Sequence, residues 1–309
     1  MPEYPDIEVY KDAIRQRVLG QILRELRIHS PFLLRTVEPG IDELTDRHVC
    51  GIERMGKRIV IALGKTPDLP THWVVLHLMV AGRLHFKTAA QKPPGKNALA
   101  IFTFDTGYLY LTEAGKKRRA SLHVFGDPES LHAIDPQGLE VLDCDIDAFC
   151  SRFTASNHTL KRALTDPKIL SGIGNAYSDE ILHRAGLSPI AMTQKLEQSE
   201  LERLFDAIRA VLCEWRAFLS AETGDAFPSK VTAFRPEMAV HGKFGQACPL
   251  CNAPVQRIRY ASNETNYCPN CQTGGRVLAD RALSRLLKKD WPRSVEELEK
   301  VFPGGSRAR

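Results

Sequence analysis

The first apolar residues of the chain recur at the spacing of a helix. They lie three or four positions apart, on one helical face: Ile7, Tyr10, Ile14 and Val18. Pro5 and Asp6 favour a helix start just before them, because proline is tolerated in the first turn and an acid there interacts well with the helix dipole. Gly20 is typical of a helix end. The pattern predicts an amphipathic helix close to the beginning of the chain.

Between residues 21 and 125 the apolar residues gather in short runs instead. The runs are rich in β-branched and aromatic residues and are separated by turns that contain glycine or proline. The clearest of them are Arg58–Leu63, Trp73–Val80, Ala98–Phe104 and Tyr108–Glu113. This texture predicts a β-sandwich or barrel after the first helix.

After residue 145 the helical period returns. It covers four segments: Asp147–Thr154, Leu160–Leu164, Ile169–Ala185 and Glu197–Leu219. The third segment is interrupted at Gly172-Ile173-Gly174-Asn175. Residues 221–235 carry few helix signals and are predicted to form a loop, after which two short strands accompany closely spaced cysteines. We therefore expect an α+β protein of several domains, β-rich first and helical afterwards.

Composition restricts the class of protein. Of 309 residues, 43% are hydrophobic and 26% are charged, which is ordinary for a soluble globular protein. The formal charge of +5 permits an anionic partner without requiring one. No apolar run approaches the roughly 18 residues of a membrane span, and the acidic start does not resemble a secretory signal. We expect a protein of the reducing cytoplasm that does not contact a membrane.

Four of the eight cysteines form two tight pairs, Cys248-Pro-Leu-Cys251 and Cys268-Pro-Asn-Cys271. Each pair suits one side of a tetrahedral ion, and the 16 residues between the pairs suit a hairpin that brings them together. Four thiolates favour zinc and leave no open position for catalysis. The spacing therefore predicts one structural Zn²⁺ ion.

The chain begins Met1-Pro2-Glu3. Removal of Met1, which a small second residue favours, would expose Pro2 as a secondary amine. Because an α-amino group titrates at roughly pH 7.7–8.0, a sizeable fraction is unprotonated near neutrality and is able to attack an electrophilic carbon. Glu3 would supply a carboxyl for proton transfer. The alternative is an ordinary mobile terminus.

Two further patterns suit an anionic ligand. In the turn Gly172–Asn175, glycines let backbone N–H groups approach a phosphate, and the Asn175 side chain adds a donor. The alternative is a plain helix–turn–helix hairpin. Basic residues gather at Lys116–Arg119 and at Gly56-Lys57-Arg58. A solvated surface is the commoner reason for such runs, so neither decides the function alone.

Taken together, these motifs resemble those of the formamidopyrimidine-DNA glycosylase / endonuclease VIII family of base-excision repair enzymes. The likeness follows the family order over nearly the whole chain: Met1-Pro2-Glu3, Gly56-Lys57, His77-Leu78 with Gly82, Lys161, Gly172–Glu180 and the cysteine pairs. It implies an N-terminal β-sandwich with a flanking helix, then a helix–two-turn–helix domain with a C-terminal zinc ribbon. The bounds expected on this basis are 1–130, 131–240 and 241–275, with a basic extension over 276–309.

The resemblance also implies a partner and a mechanism. The partner is damaged double-stranded DNA, bound by a monomeric enzyme without a nucleotide cofactor. Pro2 is similar to the nucleophile that attacks C1′ of the damaged nucleotide, Glu3 to the acid/base carboxyl, and Lys57 to a lysine that assists catalysis. Strand cleavage by β- and then δ-elimination would follow. The implied DNA contacts are Lys57, Arg118, Arg119, Lys161, Asn175 and Arg259.

Several positions depart from the family pattern. Asp6 stands where the family usually has glutamate, so a shorter carboxylate must serve the catalytic pocket. The loop His77–Gly82 is divergent, which leaves Met79 or Val80 to wedge the duplex. The second wedge loop has lost its aromatic residue if Ala120 occupies that position. These changes predict an atypical lesion pocket.

The most consequential departure is Asn263, which replaces the arginine expected five residues before the third cysteine. In the family that arginine binds the phosphate beside the lesion and assists δ-elimination. Arg257 and Arg259 of the same hairpin are the candidates to substitute for it. The tail beyond Gly274 is expected to pack as a helix over Leu278–Leu287.

We therefore expect a bifunctional DNA glycosylase and AP lyase of the cytoplasm, at the nucleoid when it acts, that removes 8-oxoguanine and formamidopyrimidines. One alternative is the same chemistry on oxidised pyrimidines, as in endonuclease VIII, and the short loop over residues 221–235 does not discriminate between the two. Another is non-catalytic binding of damaged or abasic DNA. The intact Pro2, Glu3 and Lys57 argue against that last alternative.

Overall fold

The computed structural model describes residues 1–95, 97–115, 117–260, 263–279 and 291–301. The chain forms two compact units. The first unit contains Met1–Gln137 and Glu214–Thr232, and the second contains Gly138–Cys213 and Ala233–Arg309. The expected four-part division at residues 130, 240 and 275 is finer than this one and stays a prediction.

The helix predicted at the beginning of the chain is confirmed as α1, Tyr4–Val18. Its apolar face is buried, with all four residues at most 1% exposed: Ile7, Tyr10, Ile14 and Val18. The Asp6 carboxylate accepts a hydrogen bond from the backbone N–H of Glu3 at 2.9 Å, which satisfies a donor at the helix start. The backbone leaves the helix two residues before Gly20, whose φ is +76°.

Eight strands follow in the first unit: β1 Ile22–Ile28, β2 Arg47–Met55, β3 Arg58–Gly64, β4 His72–His77, β5 Gly82–Thr88, β6 Ala100–Phe104, β7 Gly107–Glu113 and β8 Ser121–Phe125. They hydrogen-bond in the order β5-β7-β6-β1-β2-β3-β4-β8, and each neighbouring pair is antiparallel. The strand predicted over Trp73–Val80 is too long, because the pairing of β4 with β8 ends at His77.

One hydrophobic core joins α1 to both halves of this sheet. Its most buried residues come from α1 and from all eight strands. Those at most 1% exposed include Ile14, Leu23, Val49, Ile61, Leu76, Leu84, Phe102, Leu111 and Leu122. Burial of one such side chain contributes roughly 1.5–3 kcal/mol. Strands β5 and β8, at the two ends of the sheet, both contribute to this one core. The prediction that the first part of the chain is β-rich is therefore confirmed.

The helices after the sheet are α2 Pro128–Ala133, α3 Ile146–Thr154, α4 Leu160–Thr165, α5 Asn175–Ala185 and α6 Gln198–Thr223. Helix α5 begins at Asn175, and the helical segment predicted from Ile169 is wrong over residues 169–171, before its predicted interruption. There the backbone pairs with Leu139 instead, since Ser171 N–H donates to the Leu139 carbonyl at 2.9 Å. Helix α6 runs four residues beyond the predicted Leu219, so the following loop begins at Gly224.

The chain continues with a two-stranded antiparallel hairpin, β9 Gln256–Tyr260 and β10 Asn263–Tyr267, and two short helices, α7 Pro269–Thr273 and α8 Val295–Val301. The tail helix predicted over Leu278–Leu287 falls mainly on residues 280–290, outside the described residues. No helix in the described segments is both long and apolar enough to cross a bilayer. The α+β fold class, with a cysteine-bearing hairpin after the helices, is confirmed.

Candidate functional site

The start of the chain is packed into the first unit. Pro2 is buried and Glu3 is only 3% exposed, at the residue that precedes the first turn of α1. Asp6 is 7% exposed, and its hydrogen bond fixes the backbone of Glu3. The structure therefore brings Pro2, Glu3 and Asp6 together, and this segment differs from an ordinary mobile terminus.

The electrostatic surroundings favour the uncharged form of the amine. Burial lowers the pKa of the Met1 amino group below its ordinary value, because a charged ammonium loses hydration there. Glu3 and Asp6 oppose this shift in pKa, whereas Arg83 and Lys57 add to it. The surroundings of the Met1 amino group thus favour an amine with a free electron pair.

Lys57 lies in the two-residue turn between β2 and β3. Gly56 has a φ of +61°, and glycine at the first turn position supplies this conformation without steric cost. Lys57 is half-buried, and its ammonium is close enough to the chain start to lower the pKa of the Met1 amine. The predicted lysine and Glu3 therefore both act on the amine at the chain start.

Arg54 and Glu8, which no sequence motif indicated, tie this turn to α1. The Arg54 Nε donates to Glu8 Oε1 at 3.0 Å, and its Nη1 donates to the Gly56 carbonyl at 2.9 Å. The guanidinium also lies 4.7 Å from the centre of the Tyr4 ring. Since 46 residues separate Arg54 from Glu8, no local pattern reveals the pair.

The loop between β4 and β5 carries the two wedge candidates. Val80 is 61% exposed, whereas Met79 is half-buried and has a φ of +52°. The Arg83 Nη1 donates to the carbonyls of Val80 and Gly82, at 3.1 and 2.7 Å, and so closes the base of the loop. Of the two candidates, Val80 is the apolar side chain that this loop presents to solvent.

The basic loop after β7 is anchored by a buried carboxylate. Glu113 is 8% exposed and accepts hydrogen bonds from the backbone N–H of Arg119, at 2.9 and 3.0 Å, and of Ala120, at 3.1 Å. Arg118 and Arg119 extend exposed side chains from this anchored backbone. Lys116 lies outside the described residues. Glu113 was missed because an acid at a strand end is common on a surface.

In the second unit, Lys161 and Asn175 meet at the start of α5. The Lys161 ammonium donates to the Asn175 carbonyl at 2.7 Å, to the Ser178 hydroxyl at 2.8 Å and to the Asp179 carboxylate at 2.6 Å. The Asn175 side-chain amide donates to the Glu264 carbonyl at 2.9 Å. The predicted residues therefore order the first turn of α5, and their contact with phosphate stays a prediction.

Two acids of α5 hold the rest of the second unit against this turn. Asp179, 1% exposed, also accepts from His241 Nδ1 at 2.8 Å and from the Asn266 N–H at 3.1 Å. Glu180 accepts three backbone N–H groups of residues 239–241, at 2.7 to 2.9 Å. The hydrogen bonds that each carboxylate accepts offset the free-energy cost of burying its charge. The sequence did not reveal these contacts, because the partners within residues 239–266 lie about 60 or more positions away.

The hairpin β9–β10 presents the candidates for the missing arginine. Both of them pair with Glu264, Arg257 at 3.4 Å and Arg259 at 3.2 Å. The Arg257 side chain is 18% exposed and lies 4.0 Å from the centre of the Phe244 ring, whereas the Arg259 side chain is 54% exposed. Arg259 is therefore the more accessible of the two candidates.

The two cysteine pairs come together, as their spacing predicts. The four Sγ atoms lie within 4.8 Å of one another, with Cys251 and Cys268 at 3.3 Å and Cys248 and Cys271 at 3.9 Å. Zinc–sulfur bonds of about 2.3 Å place tetrahedral ligands roughly 3.8 Å apart. The cluster therefore has the size and the donor set of a tetrahedral metal site. His183 Nε2 lies 3.2 Å from Cys248 Sγ and links this site to α5.

Comparison with known families agrees with this geometry. Residues 1–120 match the formamidopyrimidine-DNA glycosylase N-terminal domain, and residues 134–217 match the formamidopyrimidine-DNA glycosylase H2TH domain. The two matches together cover more than half of the chain. The chain belongs to the formamidopyrimidine-DNA glycosylase family. As a member of the family it is a DNA glycosylase of base-excision repair, and the resemblance inferred from the motifs is confirmed.

Relatives match either most of the chain or about half of it. The formamidopyrimidine-DNA glycosylase of Carboxydothermus hydrogenoformans is 32% identical over 279 residues, which are 88% of this chain and 100% of that protein. A formamidopyrimidine-DNA glycosylase-like protein of Mycobacterium tuberculosis is 38% identical over 151 residues, 49% of this chain and 94% of that protein.

Solved structures of the family share the fold. A complex between Lactococcus lactis Fpg and DNA that contains an abasic site has a TM-score of 0.76 at 26% identity, and covers 88% of this chain and 99% of that one. A complex of a mutant of the same protein with DNA that contains Fapy-dG has a TM-score of 0.75 at 26% identity, and covers 88% of this chain and 100% of that one.

Proposed function

We propose that this glycosylase is bifunctional, removing 8-oxoguanine and formamidopyrimidines from DNA and cleaving the strand through an N-terminal proline. The observation that carries the proposal is the buried chain start at the head of α1. There Pro2 and Glu3 are buried, and burial lowers the pKa of the Met1 amino group, whose place the Pro2 amine takes once Met1 is removed. A nucleophilic amine requires an unprotonated nitrogen, which such surroundings favour.

In the first step, Pro2 freed of Met1 attacks C1′ of the damaged nucleotide. A bond forms from the proline nitrogen to C1′, the glycosidic bond breaks, and the base leaves with the bonding electrons and takes up the proton that the proline nitrogen loses. Glu3 then donates a proton to the sugar ring oxygen as the ring opens, which leaves a C1′ iminium. The half-buried Lys57 assists this step by contacting the phosphate next to the nucleotide.

The iminium makes the C2′ proton acidic, and its removal drives strand cleavage. In β-elimination the C3′–O bond breaks and the 3′ phosphate leaves, and in δ-elimination the 5′ phosphate leaves after it. Water then releases Pro2 from the sugar fragment. Asp6 serves these steps by holding the backbone of Glu3, and Arg259 is the proposed phosphate contact for δ-elimination.

The other predicted contacts supply DNA binding. Arg118 and Arg119 are exposed side chains on an anchored loop, as phosphate contacts require. Asn175 and Lys161 shape the start of α5, where helix N–H groups favour an anion. Zn²⁺ fits the site of Cys248, Cys251, Cys268 and Cys271, where it would fix the cysteine pairs and the hairpin between them.

Lesion preference follows from the family rather than from a described pocket. Both matching domains carry the formamidopyrimidine name, and a related Fpg is known in complex with Fapy-dG DNA. These relatives support oxidised purines as the substrates. Oxidised pyrimidines remain the alternative within the same chemistry.

Borohydride trapping tests the proposed chemistry. Reduction of the iminium on an abasic duplex should link the wild-type protein covalently to DNA, and Pro2→Gly should weaken this product. Protein that retains Met1 should give none. The proposal is overturned if protein shown by mass spectrometry to begin at Pro2 gives no adduct. A panel of 8-oxoguanine, formamidopyrimidine, thymine glycol and 5-hydroxycytosine duplexes then separates the two lesion classes.

A further inference from the structure

A buried ion pair in the first unit joins the two segments that the proposed chemistry uses. One segment is the head of α1, which presents Pro2 and Glu3. The other is the turn between β2 and β3, which presents Lys57. Glu8 belongs to α1 and Arg54 to β2, next to that turn, and they are 3.0 Å apart.

The guanidinium of Arg54 reaches both segments at once. Its Nε donates to Glu8 on the helix, and its Nη1 donates to the carbonyl of Gly56, the residue directly before Lys57. The Tyr4 ring, from the first turn of the same helix, lies 4.7 Å from the guanidinium. A planar group held on three sides fixes the turn more firmly than a flexible ammonium does.

The burial of this ion pair indicates that its main effect is on the relative position of α1 and the turn, not on stability. The side chains of Arg54 and Glu8 are 9% and 6% exposed. Removing two charges from water offsets much of their attraction, so a buried ion pair contributes little stability compared with an apolar pair of the same size. What such a pair does provide is a defined distance and orientation between the elements that carry it.

We propose that Arg54 and Glu8 are positioning residues, which hold the Lys57 ammonium at a fixed place relative to the nucleophilic amine. The inference rests on the proposed function, because it gives Lys57 a reaction to assist. Arg54 does not touch the nucleotide. It acts through the turn, and its loss should slow the chemistry rather than weaken the binding of DNA.

The surroundings of Glu8 make this testable. Glu8 also pairs with Lys11 at 2.7 Å and with Arg216 at 3.5 Å. Removal of Arg54 therefore leaves the buried carboxylate with two cationic partners, and we expect Arg54→Met to fold. Arg54→Lys keeps a cation beside Glu8 but cannot hold Glu8 and the Gly56 carbonyl in one planar arrangement. Its trapping rate should therefore lie between those of wild type and Arg54→Met.

The experiment measures the single-turnover rate of borohydride trapping on an abasic duplex with enzyme in excess. Affinity for a duplex with a tetrahydrofuran abasic analogue and thermal unfolding are measured on the same proteins. Arg54→Met should trap about 10- to 100-fold more slowly, the loss expected from a small misplacement of a catalytic group, with the affinity changed less than about threefold. The matched control is Arg24→Met, which breaks exposed ion pairs with Asp46 and Asp105 and should match wild type.

A double variant separates positioning from general loss of structure. If Arg54 acts through Lys57, Arg54→Met combined with Lys57→Met should trap no more slowly than Lys57→Met alone. Multiplying losses, or a wild-type rate for Arg54→Met, overturns the inference. If Arg54→Met does not fold, a wild-type rate for Arg54→Lys overturns it equally. Absence of any adduct with wild-type protein is a different outcome, which overturns the proposed function and this inference with it.

Discussion

The Asp6 carboxylate accepts a hydrogen bond from the backbone N–H of Glu3 at 2.9 Å, three residues before it in the chain. One short side chain thus completes the start of α1 and fixes the residue that carries the proposed acid/base carboxyl. The sequence suggested that a carboxylate one methylene shorter than the family's glutamate must serve the pocket. The Asp6 side chain is long enough to accept this hydrogen bond from Glu3.

Substitution of Asp6 should therefore affect stability and chemistry together. Asp6→Ala removes the acceptor at the helix start and should lower the free energy of unfolding by about 0.5–2 kcal/mol. It should also slow adduct formation, because Glu3 loses its fixed backbone. Asp6→Asn keeps an oxygen acceptor and should stay closer to wild type in thermal unfolding. Equal unfolding temperatures for Asp6→Ala and wild type would contradict this role.

The surroundings of the terminal amine predict a pH dependence. Burial lowers the pKa of the Met1 amine, with Arg83 and Lys57 adding to the shift, and we expect the same direction for Pro2 in the same pocket. The trapping rate should rise with pH as the amine loses its proton and level off above the amine pKa. Arg83→Met removes a nearby cation and should move the midpoint to higher pH.

The control for this profile is Arg27→Met, since Arg27 pairs with Glu25 in an exposed ion pair on β1. Its midpoint should equal that of wild type. A midpoint for Arg83→Met that stays in place, or moves to lower pH, would show that Arg83 does not affect the amine.

Glu113 predicts the behaviour of the basic loop. Glu113→Ala leaves the backbone N–H groups of Arg119 and Ala120 without their carboxylate, the second of them buried, and should lower the free energy of unfolding by about 1–3 kcal/mol. Hydrogen exchange at Arg119 and Ala120 should accelerate, and affinity for the tetrahydrofuran duplex should fall because Arg118 and Arg119 lose their anchored backbone. Arg118→Ser should weaken DNA binding at unchanged stability. Unchanged exchange at Arg119 in Glu113→Ala would contradict the anchoring.

The cysteine cluster predicts the metal content. Wild-type protein should contain one Zn²⁺ per chain by elemental analysis, and Cys268→Ser should lose it, since four thiolates complete the site. DNA affinity should fall while the first unit keeps its unfolding transition. Cys213→Ser removes an exposed cysteine outside the cluster and serves as the control, with zinc content expected to match wild type. Full zinc occupancy in Cys268→Ser would exclude this ligand set.

The exposed Arg259 predicts the balance between the two eliminations. If it substitutes for the arginine that Asn263 replaces, Arg259→Met should shift strand cleavage towards the β-elimination product and reduce the salt dependence of DNA binding. Gel separation of the 3′ ends measures this ratio. Arg257→Met is the comparison. Because Arg257 packs against Phe244, its substitution should lower the free energy of unfolding rather than change the product ratio. An unchanged product ratio in Arg259→Met would remove Arg259 from this role.

Local patterns revealed those features whose information is local. The spacing of Ile7 and Ile14 predicted the buried face of α1. The cysteine pairs predicted their cluster, because two cysteines with two residues between them are already placed to bind one ion. The family motifs then placed Pro2, Glu3 and Lys57, and the structure brings the last two close to the chain start.

Tertiary contacts account for what the sequence did not reveal. Arg54 meets Glu8 across 46 residues, and Asp179 meets Asn266 across 87, so neither pair has a pattern to detect. Helical spacing from Ile169 was misleading because the backbone there pairs with Leu139. A buried acid that accepts several hydrogen bonds also looks, in the sequence, like one more surface charge.

The hydrogen bonds of Lys161 change how the positive charge of this protein is to be counted. Its ammonium is neutralised by the fully buried Asp179 carboxylate and is directed at three acceptors of the protein. Such a cation releases few counterions when a polyanion arrives, because its charge is already balanced. The net charge of +5 therefore overstates the charge that is free to attract DNA, and we expect exposed arginines such as Arg118 and Arg119 to supply the long-range attraction.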